Sequence, residues 1–143
     1  MTIRRGHIAD LNNIVKIENQ AYKKPYWSEK MFKRILTDNS TDRLWIYERD
    51  NLLLGFVIDL QCEDEINLLN VAIDKFYQNR GYGSSMLMDY LNILPENCTI
   101  FLEVNENNNK ALNIYNKHFF QRINSREAYY NDGSDAIIMK LVK

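Results

Sequence analysis

The chain is sparing with the residues that staple or punctuate small folds: 143 residues hold two cysteines, two prolines and five glycines. Cys62 and Cys98 stand far apart, with no C-x-x-C pair and no histidine beside either, which argues against a disulfide framework and against zinc or any other metal. Both thiols are expected to be reduced and structural, as in a cytoplasmic protein. No apolar run approaches the roughly 20 residues that span a bilayer, and Met1-Thr2-Ile3-Arg4-Arg5 lacks the apolar core of a signal peptide. Neither sign of charge dominates: 18 Lys and Arg face 19 Asp and Glu, for a net charge of −1. Nucleic acid is therefore not expected as a partner, because counterion release needs clustered cations. The local basic pairs Arg4-Arg5 and Lys23-Lys24 read as solvated surface. Repeats, linkers and low-complexity segments are missing too, so residues 1–143 are expected to form one domain, able to bury about 70% of its unfolded surface.

What is present is concentrated between Val71 and Leu87. An apolar run, Val71-Ala72-Ile73, leads into a polar turn, Gln78-Asn79-Arg80-Gly81-Tyr82-Gly83, followed by Ser84. From there an amphipathic helix grows, with Met86, Leu87, Tyr90, Leu91 and Leu94 at helical spacing. The first N–H groups of a helix lack partners within it, and the helix dipole makes that end positive. Gly81 and Gly83 keep side chains out of the way, so the amides can close around a diphosphate. A Walker loop would continue Gly-Lys-Ser/Thr, and here Gly83 is followed by two serines. A dinucleotide fingerprint needs a third glycine where Met86 stands. A glycine-capped helix start without a ligand is the bland alternative.

Around this segment the chain alternates strands and helices. Strands are predicted at Thr2–Arg5, Leu44–Arg49, Leu52–Gln61, Ile66–Asp74, Thr99–Val104, Phe119–Ile123 and Ala136–Val142. Helices are predicted over about 8–20, from the Ser28 cap to Thr37, over 81–94, and over 108–118.

The turn Gln78–Gly83 resembles the acetyl-coenzyme A pyrophosphate loop of the GCN5-related N-acetyltransferases (GNAT), and the element order is similar to theirs from end to end. Pro25-Tyr26-Trp27-Ser28-Glu29 resembles the Pro-Trp-Ser-Glu segment of one subgroup, the bacterial ribosomal-protein alanine N-acetyltransferases of the RimI type. Leu102-Glu103-Val104 with Asn108, Ala111 and Ile114-Tyr115 is similar to that subgroup's catalytic segment. Tyr129-Tyr130 and Asp135–Leu141 are similar to its substrate-side hairpin and last strand. Two departures stand out: Tyr26 is inserted between Pro25 and Trp27, and Phe119-Phe120 replaces Leu-Gly-Phe. The resemblance implies an α/β (α+β) fold, with a mixed, mostly antiparallel, splayed seven-stranded sheet flanked by four helices. It implies acetyl-coenzyme A as cosubstrate. The residues expected to hold it are Gln78, Asn79, Arg80, Gly81, Tyr82, Gly83, Ser84, Asn108 and the amides of Val71, Ala72 and Ile73.

Acetyl transfer to an amine needs a base for the ammonium proton, donors for the tetrahedral oxyanion and an acid for the departing thiolate. Glu103 interrupts the apolar run Ile100–Val104, where a carboxylate is costly without a role or a partner. Read alone, it could equally be an outward-facing strand residue; the resemblance makes it the base, direct or through water. Tyr115 shares helical spacing with Ala111, Ile114 and Phe119 and could be a core aromatic. The resemblance implies that it protonates the thiolate, with the strand amides Val71–Ile73 as oxyanion donors. Asn107 and Asn108 are also good helix caps.

Neutralising an N-terminal amine at pH 7 costs about 1.4 kcal/mol, and a lysine amine about 4.6 kcal/mol. A single carboxylate suits the first acceptor. His7 and His118 add no base; the second closes a helix where a cation would complement the dipole. Trp27, Tyr129 and Tyr130 are the expected grips on an acceptor peptide, or aromatics packed on their neighbours. The leading expectation is an acetyl-CoA-dependent transferase acting on a protein or peptide N-terminus, such as that of a ribosomal protein, in a monomer or weak dimer. A small-molecule amine or protein lysine as acceptor, or a non-catalytic acyl-CoA-binding module, are the alternatives.

Overall fold

The computed structural model describes residues 2–22, 25–37 and 40–143; the Lys23-Lys24 pair lies outside them. Seven strands follow the spatial order β1-β2-β3-β4-β5-β7-β6: β1 (Thr2–Arg5), β2 (Asp42–Arg49), β3 (Leu52–Cys62), β4 (Glu65–Ile73), β5 (Thr99–Asn105), β6 (Gln121–Arg126) and β7 (Ala136–Val142). Four helices alternate with them: α1 (Leu11–Ala21), α2 (Glu29–Thr37), α3 (Tyr82–Ile93) and α4 (Asn109–Lys117). The chain gathers into two compact units, Met1–Leu60 with Asn70–Ile93, and Gln61–Leu69 with Leu94–Lys143.

In the first unit β1, β2 and β3 form an antiparallel meander, closed at Asp50-Asn51 by two residues with φ of 50° and 63°. Asn and Asp tolerate that left-handed backbone, which suits a two-residue hairpin. Every residue of β3 from Leu53 to Asp59 is buried, so the run Leu-Leu-Gly-Phe-Val-Ile reads as a strand covered on both faces. Ile14 and Ile17 of α1 and Phe32 of α2 pack with Leu44, Ile46, Phe56, Ile58 and Ala72 into one core. Gly55 is there because no side chain fits: a Cβ would sit 2.6 Å from the Ala72 carbonyl and 3.1 Å from the Met86 sulfur. Asp59, with no exposed surface, accepts from Arg43 Nε at 2.7 Å and Nη2 at 2.6 Å and from the hydroxyl of Tyr90 in α3. Such a pair stabilises only while both partners remain.

In the second unit β4 starts parallel to β5, from Glu65↔Thr99 to Leu68↔Leu102, and β5 runs antiparallel to β7 along its whole length. Ile100, Leu102 and Val104 are buried with Ile66, Leu68, Phe120 and Met139. The last hairpin departs from its expected bounds. Phe119 leaves α4 with φ of 71° and is 80% exposed, a conformation a glycine would adopt at no steric cost. The chain turns through it, so β6 begins at Gln121 rather than Phe119. α1 is also preceded by a short 3-10 turn, Ile8–Asp10, where a continuous helix is predicted.

Candidate active site

In the first unit the turn after β4 begins with Asp74, whose side chain accepts from the Phe76 amide at 2.9 Å and starts a 3-10 turn, Lys75–Tyr77. Asn79 and Gly81 then take φ of 64° and 83°. A Cβ on Gly81 would meet nothing within 4 Å, so its lack of a side chain serves open space rather than packing. The first rung of α3 joins the Ser85 amide to the Gly81 carbonyl at 3.1 Å, which puts Tyr82, Gly83 and Ser84 upstream of the helical ladder. Arg80 lies over the Tyr77 ring at 5.9 Å, and the Tyr82 hydroxyl accepts from Arg49 at 2.9 Å. Two cations thus border a helix start whose dipole already favours anions. Arg49, on the far side of a hairpin, has no sequence signal linking it to this turn.

The end of β4 is met by side chains. Tyr22 donates its hydroxyl to the Val71 carbonyl at 2.8 Å, and Gln78 Nε2 donates to the Ile73 carbonyl at 3.0 Å. The Asp74 amide, of opposite parity, bonds to Leu54 of β3. In an extended strand a residue's N–H and C=O share one edge, so the Val71 and Ile73 amides lie on the edge served by Tyr22 and Gln78. Gln78 thus braces the backbone in this structure. Ala72 has the other parity and is buried.

Between α1 and α2, the loop that carries Trp27 is held from below. Glu18, fully buried, accepts the backbone amides of Tyr26 and Trp27, each at 3.0 Å, and Asn70 Nδ2 at 2.8 Å. Burial pushes its carboxyl above the usual range, against the pull of those three donors. The Trp27 ring turns inward onto Phe32, 5.9 Å between centroids, and joins the core. Tyr26 is 55% exposed and meets Tyr22 edge-on.

In the second unit strict alternation buries Ile100, Leu102 and Val104 and places Glu103 on the opposite face with Phe101. Glu103 pairs with Arg126 Nη2 of β6 at 3.3 Å, and the Arg126 guanidinium lies over Tyr129 at 5.6 Å. Tyr129 meets Tyr130 edge-on at 5.1 Å. Burial, with Tyr130 adding, pushes the Tyr115 phenol up to about 12, while its ring packs against Phe120 at 5.6 Å. The structure therefore links Glu103 to Tyr129 through Arg126, and Tyr129 to Tyr130 by ring contact, while Tyr115 feels Tyr130 electrostatically. Arg126 lies in an exposed polar strand, where periodicity offers no signal. Asn108 caps α4, accepting from the Ala111 amide at 3.2 Å. His118 corrects an expectation: burial and then Lys117 lower its pKa, so it is a poor cation for the helix end. Cys62 is exposed, so a structural reading fits only the buried Cys98. Among the described residues no three His, Cys, Asp or Glu side chains group as metal ligands, and no helix is long and apolar enough to cross a membrane.

Comparison with known proteins adds an independent observation. Residues 10–120 match the Acetyltransferase (GNAT) family. The chain is 33% identical over 98% of its length to the ribosomal protein bS18 alanine N-acetyltransferase of Escherichia coli, covering 96% of that enzyme. It is 34% identical over 92% to the Haemophilus ducreyi enzyme of the same name, covering 93% of it. The crystal structure of the Escherichia coli ribosomal-protein alanine N-acetyltransferase superposes with a TM-score of 0.88 at 32% identity, over 99% of this chain and 92% of that one.

Proposed function

The chain belongs to the GNAT acetyltransferase family, and from that membership we propose that it moves the acetyl group of acetyl-coenzyme A onto the N-terminal α-amine of a protein, a ribosomal protein being the favoured class. The observation that carries this reading is similarity along almost the whole chain to enzymes named as ribosomal protein bS18 alanine N-acetyltransferases.

Each demand of the reaction has a group suited to it. The helix start at Tyr82 and Gly83, the open space at Gly81, and the cations Arg80 and Arg49 suit the diphosphate of acetyl-coenzyme A. The Val71 and Ile73 amides suit the thioester carbonyl, since backbone N–H groups held by a braced strand need no reorganisation as charge develops. Glu103 takes the ammonium proton. It stands on the solvent-facing side of β5, where an amine can reach it. The nitrogen lone pair then attacks the thioester carbon, the attached nitrogen gives its remaining extra proton to water, and collapse of the tetrahedral intermediate breaks the C–S bond. Tyr115 offers its O–H to the departing sulfur; its raised pKa keeps that proton in place at working pH. Tyr129 and Tyr130, linked to Glu103 through Arg126, suit contact with the acceptor's first residues.

The test is a peptide panel assayed for coenzyme A release. Peptides with a free N-terminal alanine are expected to turn over, and the same peptides blocked at the N-terminus but carrying an internal lysine are not. Equal turnover of the blocked set reassigns the acceptor to lysine. Turnover of small amines alone removes the protein acceptor. Binding of acetyl-coenzyme A without any transfer makes the chain a sensor.

A further inference from the structure

Glu18 is a titratable group for which the reaction above has no use. It has no exposed surface, and it lies one helical turn from Ile14 on the apolar stripe of α1, where a leucine would pack at far lower cost. Its two oxygens have separate tasks. Oε2 accepts both the Tyr26 and the Trp27 amides, while Oε1 accepts Asn70 Nδ2 from β4. The Tyr22 hydroxyl shares its one proton between the Val71 carbonyl at 2.8 Å and, more weakly, Asn70 Oδ1 at 3.3 Å. One buried carboxylate therefore joins α1, the Tyr26-Trp27 loop and the strand end that carries Val71.

We propose that Glu18 is a positioning residue for acceptor recognition: it clamps two successive loop amides so that Trp27 seats in the core and Tyr26 stands outward. This rests on the function proposed above. The loop also borders an open cleft of about 460 Å³ lined by Val15, Asn19, Tyr26, Trp27, Glu29 and Met31. Two amides in sequence at one oxygen form a rigid clamp. Without it, two part-buried N–H groups lose their acceptor, and the loop is free to shift toward other partners.

Substitution by glutamine separates shape from charge. The carbonyl of the introduced glutamine can still accept both loop amides. Its NH2 then faces Asn70, which can turn its amide over, and the Tyr22 hydroxyl can accept the reversed NH2 while still donating to Val71. Glu18→Gln is thus expected to rescue what Glu18→Ala removes.

The experiment has two arms. Kinetics with an alanine-first peptide are expected to show acceptor KM raised at least tenfold in Glu18→Ala and less than threefold in Glu18→Gln, with acetyl-coenzyme A KM unchanged in both. Amide hydrogen exchange, read by NMR without any substrate, is expected to lose at least tenfold protection at Tyr26 and Trp27 in the alanine variant only. Should Glu18→Ala fail to fold, Asn70→Ala cuts one strand of the clamp and is expected to raise acceptor KM at least threefold. Acceptor KM within twofold of wild type in these alanine variants overturns the inference, as does undiminished amide protection in Glu18→Ala. A wild-type protein that acetylates no peptide overturns the proposed function instead, and the exchange arm still reads the clamp separately.

Discussion

Tyr115→Phe removes one oxygen and leaves the ring on Phe120. The phenol sits at about 12, whereas a thiol is near 8.5, so outright proton transfer to a free thiolate is uphill by about 3.5 units, or roughly 4.8 kcal/mol. A full transfer becomes easy only when the sulfur is as poorly solvated as the phenol. What the hydroxyl supplies first is a hydrogen bond to developing negative charge, about 1.5–3 kcal/mol. The variant is therefore expected to lose roughly 10- to 150-fold in kcat, with acetyl-coenzyme A KM and thermal midpoint almost unchanged. Coenzyme A release at saturating peptide, followed with a thiol reagent, measures it. A neutral phenol up to about 12 also predicts that wild-type kcat does not fall between pH 8 and 10 for want of this proton. A kcat within twofold of wild type in Tyr115→Phe would refute the role and leave Tyr115 as packing.

Gly81→Ala places a Cβ in open space on a backbone with φ of 83°, so it is expected to cost about 1–2 kcal/mol in urea unfolding and to raise acetyl-coenzyme A KM severalfold; an unchanged KM would remove the cradle. Asp59→Asn leaves the Arg43 fork facing a neutral amide in the core, for an expected loss of about 3–5 kcal/mol, and a shift under 1 kcal/mol would contradict the pairing. Asp10 is held below the usual carboxylate range, first by Arg4, which it meets with both oxygens at 2.9 Å. A lowered folded pKa gives stability that is present above the unfolded value near 4 and is lost as pH falls through the folded one. Asp10→Asn should thus be less stable than wild type at pH 7, with the gap narrowing on acidification below pH 4; a gap of unchanged size between pH 4 and pH 2 would contradict the linkage.

Elements with one strong local signal were legible in the chain itself. The continuous apolar run of β3, the Asp50-Asn51 hairpin and the Ser28 and Asn108 caps all fall where local chemistry puts them. Glycine at 81 but not at 119 shows the limit of such rules. Gly81 takes the left-handed backbone that the turn needs, whereas Phe119 takes the same backbone with a Cβ, held by the rungs from Phe119 and Phe120 back into α4. Glu103 could not be oriented from its neighbours, because Phe101 and Val104 are both apolar; only the register with β7 decides which face is buried. Arg126 and Arg49 were invisible for a related reason. Their partners lie 23 and 33 residues away, brought near by strand pairing that no local pattern encodes.

Three buried acids make the case about Glu18 from the other side. Asp10 and Asp59 each face an arginine fork. Glu18 is held instead by three amide N–H groups, and its pKa is raised. A carboxylate whose folded pKa lies above its unfolded value contributes stability only in its protonated form, and that contribution is lost as pH rises through the folded value. Ionising Glu18 therefore subtracts from stability, where ionising Asp10 adds to it. An apolar residue at that position would pack on Ile14 and Ile17 without the desolvation cost. It could not, however, hold the Tyr26 and Trp27 amides together. That energetic loss falls on the residue proposed to shape the loop, which is where expense is expected if the loop's conformation, rather than the fold's stability, is what matters.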